Sequence, residues 1–169
     1  DFYSALSGEL ISSFKAKIPE GTTVTSSAKS SPSEQRFALG LSNGQVIVIG
    51  IEFGLTYPDN KRVITPSLRY PIGEEPLTIN NEGAVYNLVF DFSDSRMSFA
   101  YQDANGAWKL NRQEGEENMM TEEVEWSSVE VFIEDAPNHV ISAIMTPDHR
   151  QLILGATNKL FVYNTRDAD

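Results

Sequence analysis

Apolar residues recur at every second position through most of this 169-residue chain, and that period predicts β-strands. Phe37, Leu39 and Leu41 share one face of a short strand. After a polar turn, Ile47, Ile49, Ile51, Phe53 and Leu55 share one face of a longer one. Tyr86, Leu88, Phe90 and Phe92 repeat the pattern, as do Leu152 with Leu154 and Leu160 with Val162. Clusters of turn-forming residues separate the runs: YPDN at 57–60, NNEG at 80–83, DAPN at 135–138 and TPDH at 146–149. In VEWSSVEVFI the apolar phase moves from Val124 and Trp126 to Val129, Val131 and Ile133, which predicts a bulge or chain break near Ser127-Ser128. The one segment with a helical expectation is FYSALSGELISSF at 2–14. The expected fold class is all-β, built of antiparallel sheets.

A weak internal repeat strengthens that reading. RFALGLSNGQVIVI, RMSFAYQDANGAWKL and RQLILGATNKLFVYN each run from an arginine through an alternating strand, a polar turn containing asparagine and a second alternating strand. Gly44, Gly106 and Asn158 occupy the equivalent turn position, at spacings of roughly 50 to 60 residues, close to the periods of propeller blades. Asn43-Gly44 and Asn105-Gly106 predict two-residue type I′ turns, which require a positive φ at both central residues. Asn158 also tolerates that conformation. Three blade-like units follow, at about 9–56, 62–113 and 121–166. Propellers close with 4 to 8 blades, so three form a partial ring whose unpaired edge strands favour self-association. The chain opens on DFYSALSGEL, with neither an initiator methionine nor a signal peptide, so the expectation is a processed chain or an excised segment with further blades downstream.

The search for chemistry returns little. Gly40-Leu41-Ser42-Asn43-Gly44 matches G-x-S-x-G formally, but a nucleophile elbow needs a helix after the serine, and QVIVIGIEF is a strand sequence. The related hairpins carry Ala104 and Thr157 at that position, so Ser42 reads as a turn residue. His139 and His149 both fall in turn segments; a zinc site needs three or four ligands at fitting spacings, and although carboxylates could contribute, nothing resembles H-E-x-x-H or paired histidines on one strand face. Asp103-Ala104-Asn105-Gly106 looks like part of a calcium loop, yet Tyr101 stands where the EF-hand pattern needs an acid, and a hairpin turn accounts for the segment. No glycine-rich phosphate loop is present. The expectation is a chain with no catalytic, cofactor-binding or metal residue, hence not an enzyme.

Charge narrows the partners. Thirteen Lys and Arg face 24 Asp and Glu, a formal net charge of −11, which argues against nucleic acid and against an anionic membrane surface. No Lys or Arg lies between Arg112 and Arg150, an interval rich in acids (114–135 especially). That run is either a solvated face or a docking surface for a basic partner.

AIMTPDHRQLILGATNKLFVYN, residues 143–164, resembles the core of a WD-repeat-type propeller blade: a strand, the Pro147-Asp148 turn, a second strand, a polar turn, and a third strand ending on Tyr163-Asn164. Asn138 stands where such blades often carry glycine, Thr157 where they carry a structural aspartate, and Tyr163-Asn164 where they carry Trp-Asp. RFALGLSNGQVIVIGIEFGLTYPDNKRVITPSLRYPIGEEPLTI, residues 36–79, is similar to the large extracytoplasmic insert of permease subunits from bacterial phosphate ABC transporters. The resemblance extends over about 10–166 and carries no catalytic motif. It implies a periplasmic β-propeller-like domain at the inner membrane, attached through segments outside this chain. The whole protein would take up inorganic phosphate, with an ATPase subunit and a periplasmic phosphate-binding protein as partners. The charge predicts an interaction or regulatory role for the domain, because a field of this sign repels phosphate. The alternative is a propeller-type protein–protein interaction scaffold unrelated to transport.

Overall fold

Fourteen strands form among the described residues of a computed structural model, which are 1–30, 35–93, 95–120, 123–131, 133, 135–137, 139–146 and 150–165. The three arginine-led repeats form the hairpins they predict: β4 (Arg36–Leu41) with β5 (Gln45–Thr56), β9 (Arg96–Gln102) with β10 (Trp108–Asn118), and β13 (Gln151–Ala156) with β14 (Lys159–Asn164). Each hairpin gains an antiparallel strand on its N-terminal side: β3 (Val24–Lys29), β8 (Tyr86–Ser93) and β12 (Ser142–Met145). The first sheet continues into β6 (Val63–Arg69), with the short β7 (Leu77–Thr78) also on β5, and the second into β11 (Glu123–Val131). The strand orders are β3-β4-β5-β6, β8-β9-β10-β11 and β12-β13-β14. The pairings group the chain as 24–78, 86–131 and 142–164, so that β6, expected in the second blade-like unit, belongs with β5.

The sheets stack in three layers with the second in the middle. Its side chains alternate between two cores, as period-2 geometry requires. Leu88, Phe90, Phe92, Met97, Phe99 and Tyr101 meet Ala38, Val46 and Val48 of the first sheet. Ala100, Trp108 and Leu110 meet Met145, Leu152 and Leu154 of the third. Phe90 and Phe99 stack at 5.2 Å within the second sheet, and the Arg36 guanidinium of the first sheet lies 3.7 Å from the Phe92 ring centre, fastening the first two layers.

This layering explains the phase change in β11. The strand runs straight through Ser127-Ser128 in continuous register with β10, without the expected bulge. Trp126 packs toward the first core, and Ile133, just beyond the strand, packs toward the second. A sheet buried on both faces can use either parity, so the apolar phase shifts with no irregularity in the backbone. Trp126 has room because its cross-strand partner is Gly115, where a Cβ would stand 3.1 Å from the indole ring.

Two further expectations are corrected. Residues 2–14 form no helix: β1 (Phe2–Tyr3) pairs with β2 (Leu10–Ser12), and no α-helix occurs among the described residues. The Ser4 hydroxyl accepts hydrogen bonds from the backbone N–H groups of Leu6 and Ser7, and Gly8 adopts φ +70, so local capping and a left-handed glycine turn the chain back before a helical nucleus can pay its way. The Asn-Gly turns are not type I′. Gly44 (φ +83) and Gly106 (φ +84) are left-handed, whereas Asn43 and Asn105 are not, which is the three-residue pattern of a type I turn closed by a left-handed glycine. Asn158 likewise has no positive φ.

Beyond the last β9–β10 pair, Glu114 with Arg96, strands β10 and β11 continue alone as a two-stranded arm. Met119 and Met120 at its tip are almost fully exposed, and Glu116, Glu117 and Glu125 lie along it.

Candidate functional site

The first strands of the three meanders converge. β8 lies against both β3 and β12, and each of the three is an edge strand that pairs only with the next strand of its own sheet among the described residues. Between β3 and β12, with β8 as floor, runs a groove of about 670 Å³. Thr25, Ser26, Tyr86, Asn87, Gln102 and Ser142 contribute to its walls. A second hollow of about 400 Å³ is lined by later residues of the same three strands and by their flanks, among them Lys29, Ser30, Asp91 and Thr146.

Local sequence builds the groove. Asn87 has φ +46 inside a strand, a conformation that asparagine tolerates better than most residues. It sits where the β8–β9 register slips between Tyr86 and Val89, and its Nδ2 donates to Gln102 Oε1 at 2.5 Å. The slip leaves Tyr86 half-exposed on the wall while Leu88 onward stays in the core. Opposite, the Thr25 and Ser26 hydroxyls both donate to the Val85 carbonyl, at 2.5 and 2.7 Å, tying the β3 edge to the entry of β8. Asp103 is buried at the end of the groove and fully engaged. Its Oδ1 accepts the backbone N–H groups of Asn105 (2.9 Å) and Ala107 (3.0 Å), and its Oδ2 lies 3.5 Å from Lys109 Nζ. The groove thus offers neutral hydroxyls and amides beside the aromatic rings of Tyr86 and Trp108 and aliphatic side chains such as Val140 and Ile141, a lining suited to binding through hydrogen bonds and apolar contact.

The residues weighed from sequence lie elsewhere. Ser42 exchanges hydrogen bonds with Thr23, its N–H donating to the Thr23 carbonyl at 2.9 Å and its Oγ accepting the Thr23 N–H at 3.1 Å, and the segment after Gly44 is β5 instead of a helix. His139 is exposed outside any strand, and His149 lies outside the described residues, as do Asn138 and the Pro147-Asp148 turn. Asp103-Ala104-Asn105-Gly106 forms the β9–β10 hairpin loop. Among the described residues no group of three His, Asp or Glu could hold a metal ion, and no helix is long and apolar enough to cross a membrane. The groove residues escape sequence reasoning because each is an ordinary strand-edge polar residue. The one local signal is Asn87, a turn-former inside the alternating run AVYNLVFDF.

No family model, no curated protein and no solved structure matches this chain.

Proposed function

We propose that this chain is a non-catalytic extracytoplasmic interaction domain of the permease subunit of a bacterial phosphate ABC transporter, with its sheets arranged as blades of a partial, WD-repeat-like β-propeller. The observation that carries the reading is the convergence of β3, β8 and β12 on one groove, since a propeller sets the first strand of every blade around its axis. The resemblance of residues 36–79 to the permease insert supplies the setting. The domain acts by holding protein partners, the ATPase-bearing transporter core and its periplasmic phosphate-binding protein, and the ion path runs through membrane segments outside this chain. Charge supports a role apart from the ion itself: at −11 the domain repels phosphate, and the groove is lined by neutral groups together with an aspartate that is already paired.

Affinity capture of the natural polypeptide carrying this chain from detergent-solubilised membranes tests the proposal. Co-purification of an ATPase subunit is expected, together with no amide shifts when millimolar inorganic phosphate is added to the isolated chain. Recovery of the polypeptide from the soluble fraction, without an ATPase, would sink it.

A further inference from the structure

Two turns of the chain carry asparagine followed by glycine. In that dipeptide the asparagine side chain is open to attack by the next main-chain nitrogen, because glycine has no Cβ to obstruct the approach. The fold treats the two turns differently. At Asn43-Gly44 both reacting groups are held. Asn43 Nδ2 donates to Gln45 Oε1 at 2.6 Å, and Asn43 Oδ1 accepts the Gln45 N–H at 3.3 Å. Gly44 is buried; its N–H donates to the Leu41 carbonyl at 3.3 Å, and its carbonyl accepts the N–H groups of Ile79 and Asn80 at 3.1 and 3.0 Å. At Asn105-Gly106 both residues are exposed, and the Asn105 side chain has no hydrogen-bond partner among the described residues. Nothing lies within 4 Å of the position a Gly106 Cβ would take. The Gly106 N–H donates to the Asp103 carbonyl at 3.0 Å, and opening that one exposed turn bond frees the nitrogen.

We propose that Asn105-Gly106 is a self-modification site: Asn105 deamidates in the folded chain while Asn43 is protected, and the isoaspartate that forms loosens the end of the groove at Asp103. The Gly106 nitrogen, on losing its proton, attacks the Asn105 side-chain carbonyl carbon. A new C–N bond closes a cyclic imide as the bond to the side-chain nitrogen breaks, and that nitrogen leaves with the proton as ammonia. Water then opens the imide at either carbonyl. One opening gives aspartate; the other gives isoaspartate, with the main chain rerouted through the former side chain and lengthened by one carbon. No oxidant or reductant is needed, since the net change is hydrolysis of an amide. Ala104 and Gly106, on either side of Asn105, both line the groove. Asp103 Oδ1 accepts the N–H groups of Asn105 at 2.9 Å and Ala107 at 3.0 Å, and the Gly106 carbonyl accepts Gln102 Nε2 at 3.0 Å. The added carbon falls between the two N–H groups that Asp103 holds, so the loop that fits them both is lost. The new carboxylate also brings a negative charge to a lining whose one acid, Asp103, is already paired with Lys109. The inference stands apart from the transporter reading.

Peptide mapping by mass spectrometry, after the folded chain has been held in mildly alkaline buffer at physiological temperature, provides the test. The mass gain of amide-to-acid conversion is expected in the Asn105 peptide, as two chromatographically distinct products. Conversion at Asn43 should be at least about tenfold slower, because its amide bonds and the buried Gly44 contacts must break together. In concentrated urea the two asparagines should convert at similar rates, which assigns the difference to the fold. A folded chain in which Asn43 converts as fast as Asn105 overturns the proposal, and so does one in which Asn105 stays intact while the urea-unfolded chain converts. The isoaspartate form, separated chromatographically, should show an unfolding equilibrium constant raised at least about tenfold over wild type, through loss of bonds to a charged acceptor. Asn105→Asp keeps the main chain and adds the same charge, so its denaturant midpoint should stay close to wild type. An isoaspartate form as stable as wild type, or an Asn105→Asp chain as weakened as the isoaspartate form, would show that the lengthened main chain does not act on Asp103.

Discussion

Gly44 and Asn80 are locked together: the Gly44 carbonyl accepts the Asn80 N–H at 3.0 Å, and a Cβ on Gly44 would stand 1.9 Å from the Asn80 carbonyl oxygen. The contact reaches further through Asn80 Nδ2, which donates to the Gly83 carbonyl at 2.9 Å, and through Tyr101, whose hydroxyl donates to the Ile79 carbonyl at 2.8 Å. One hairpin turn of the first sheet is in this way fixed to the loop that leads into the second.

Gly44→Ala should consequently be among the most damaging single changes. It meets backbone at overlap distance and also forces a left-handed alanine, for a loss of about 3 kcal/mol or more. Gly106 has the same φ with nothing within 4 Å of its Cβ position, so Gly106→Ala should lose only about 1–2 kcal/mol. Urea midpoints of the two variants measure the difference, and equal losses would show that the Asn80 contact is unimportant.

Ser42→Ala removes an acceptor for the Thr23 N–H in a solvent-accessible turn and should cost about 0.5–1.5 kcal/mol. Treatment of the wild-type chain with a fluorophosphonate, followed by mass spectrometry, should leave Ser42 unmodified. An adduct there would overturn the turn-residue reading.

Asp103→Ala strips two backbone N–H groups of a buried charged acceptor and is expected to cost about 2–3 kcal/mol. Asp103→Asn keeps a carbonyl oxygen for the same donors and should lose about half as much. Thermal unfolding of both variants would separate the hydrogen bonds from the charge, because only the charge also faces Lys109.

Alkaline pH should weaken the fold through two groups. The hydrogen bond from Lys109 to Glu82 raises the Lys109 pKa; partial burial opposes it, and the charges of Glu82 and Asp103 add to it. Burial raises the Tyr163 pKa, with the charge of Asp135 adding. In both cases the folded state holds a proton that the unfolded chain releases first. The stability they contribute is therefore complete below about pH 10 and is lost as pH rises through the folded values. Denaturant midpoints across that range should fall for the wild type and fall less steeply for Lys109→Gln and for Tyr163→Phe. A midpoint that rises with pH would contradict the sign.

The strands were legible because alternation needs only local order, and so were the three hairpins, since each repeat carries its own turn. What alternation could not convey was which layer a face would meet. Val124 and Trp126 against Val129 and Ile133 looked like a fault in one strand because burial of both faces of the second sheet is a property of three sheets together. Leu160 and Val162 carry the same alternating signal as Leu152 and Leu154, yet the first pair faces solvent and the second faces the core. The turns at Asn43-Gly44 and Asn105-Gly106 were located correctly but mistyped, as the loop length that decides turn type depends on where pairing resumes. The groove was illegible because Thr25, Asn87 and Ser142 lie far apart in sequence and meet only when three edge strands converge.

The two-stranded arm of β10 and β11 reaches beyond the layers, and its tip at Met119-Met120 touches solvent on nearly all sides. A cut there would divide the polypeptide after β10, yet the pieces would still share the nine-position β10–β11 ladder and the whole contact between the second and third sheets. Two separately synthesised halves should therefore find one another and rebuild the domain, which makes this loop the place to sever the chain when a split reporter is wanted.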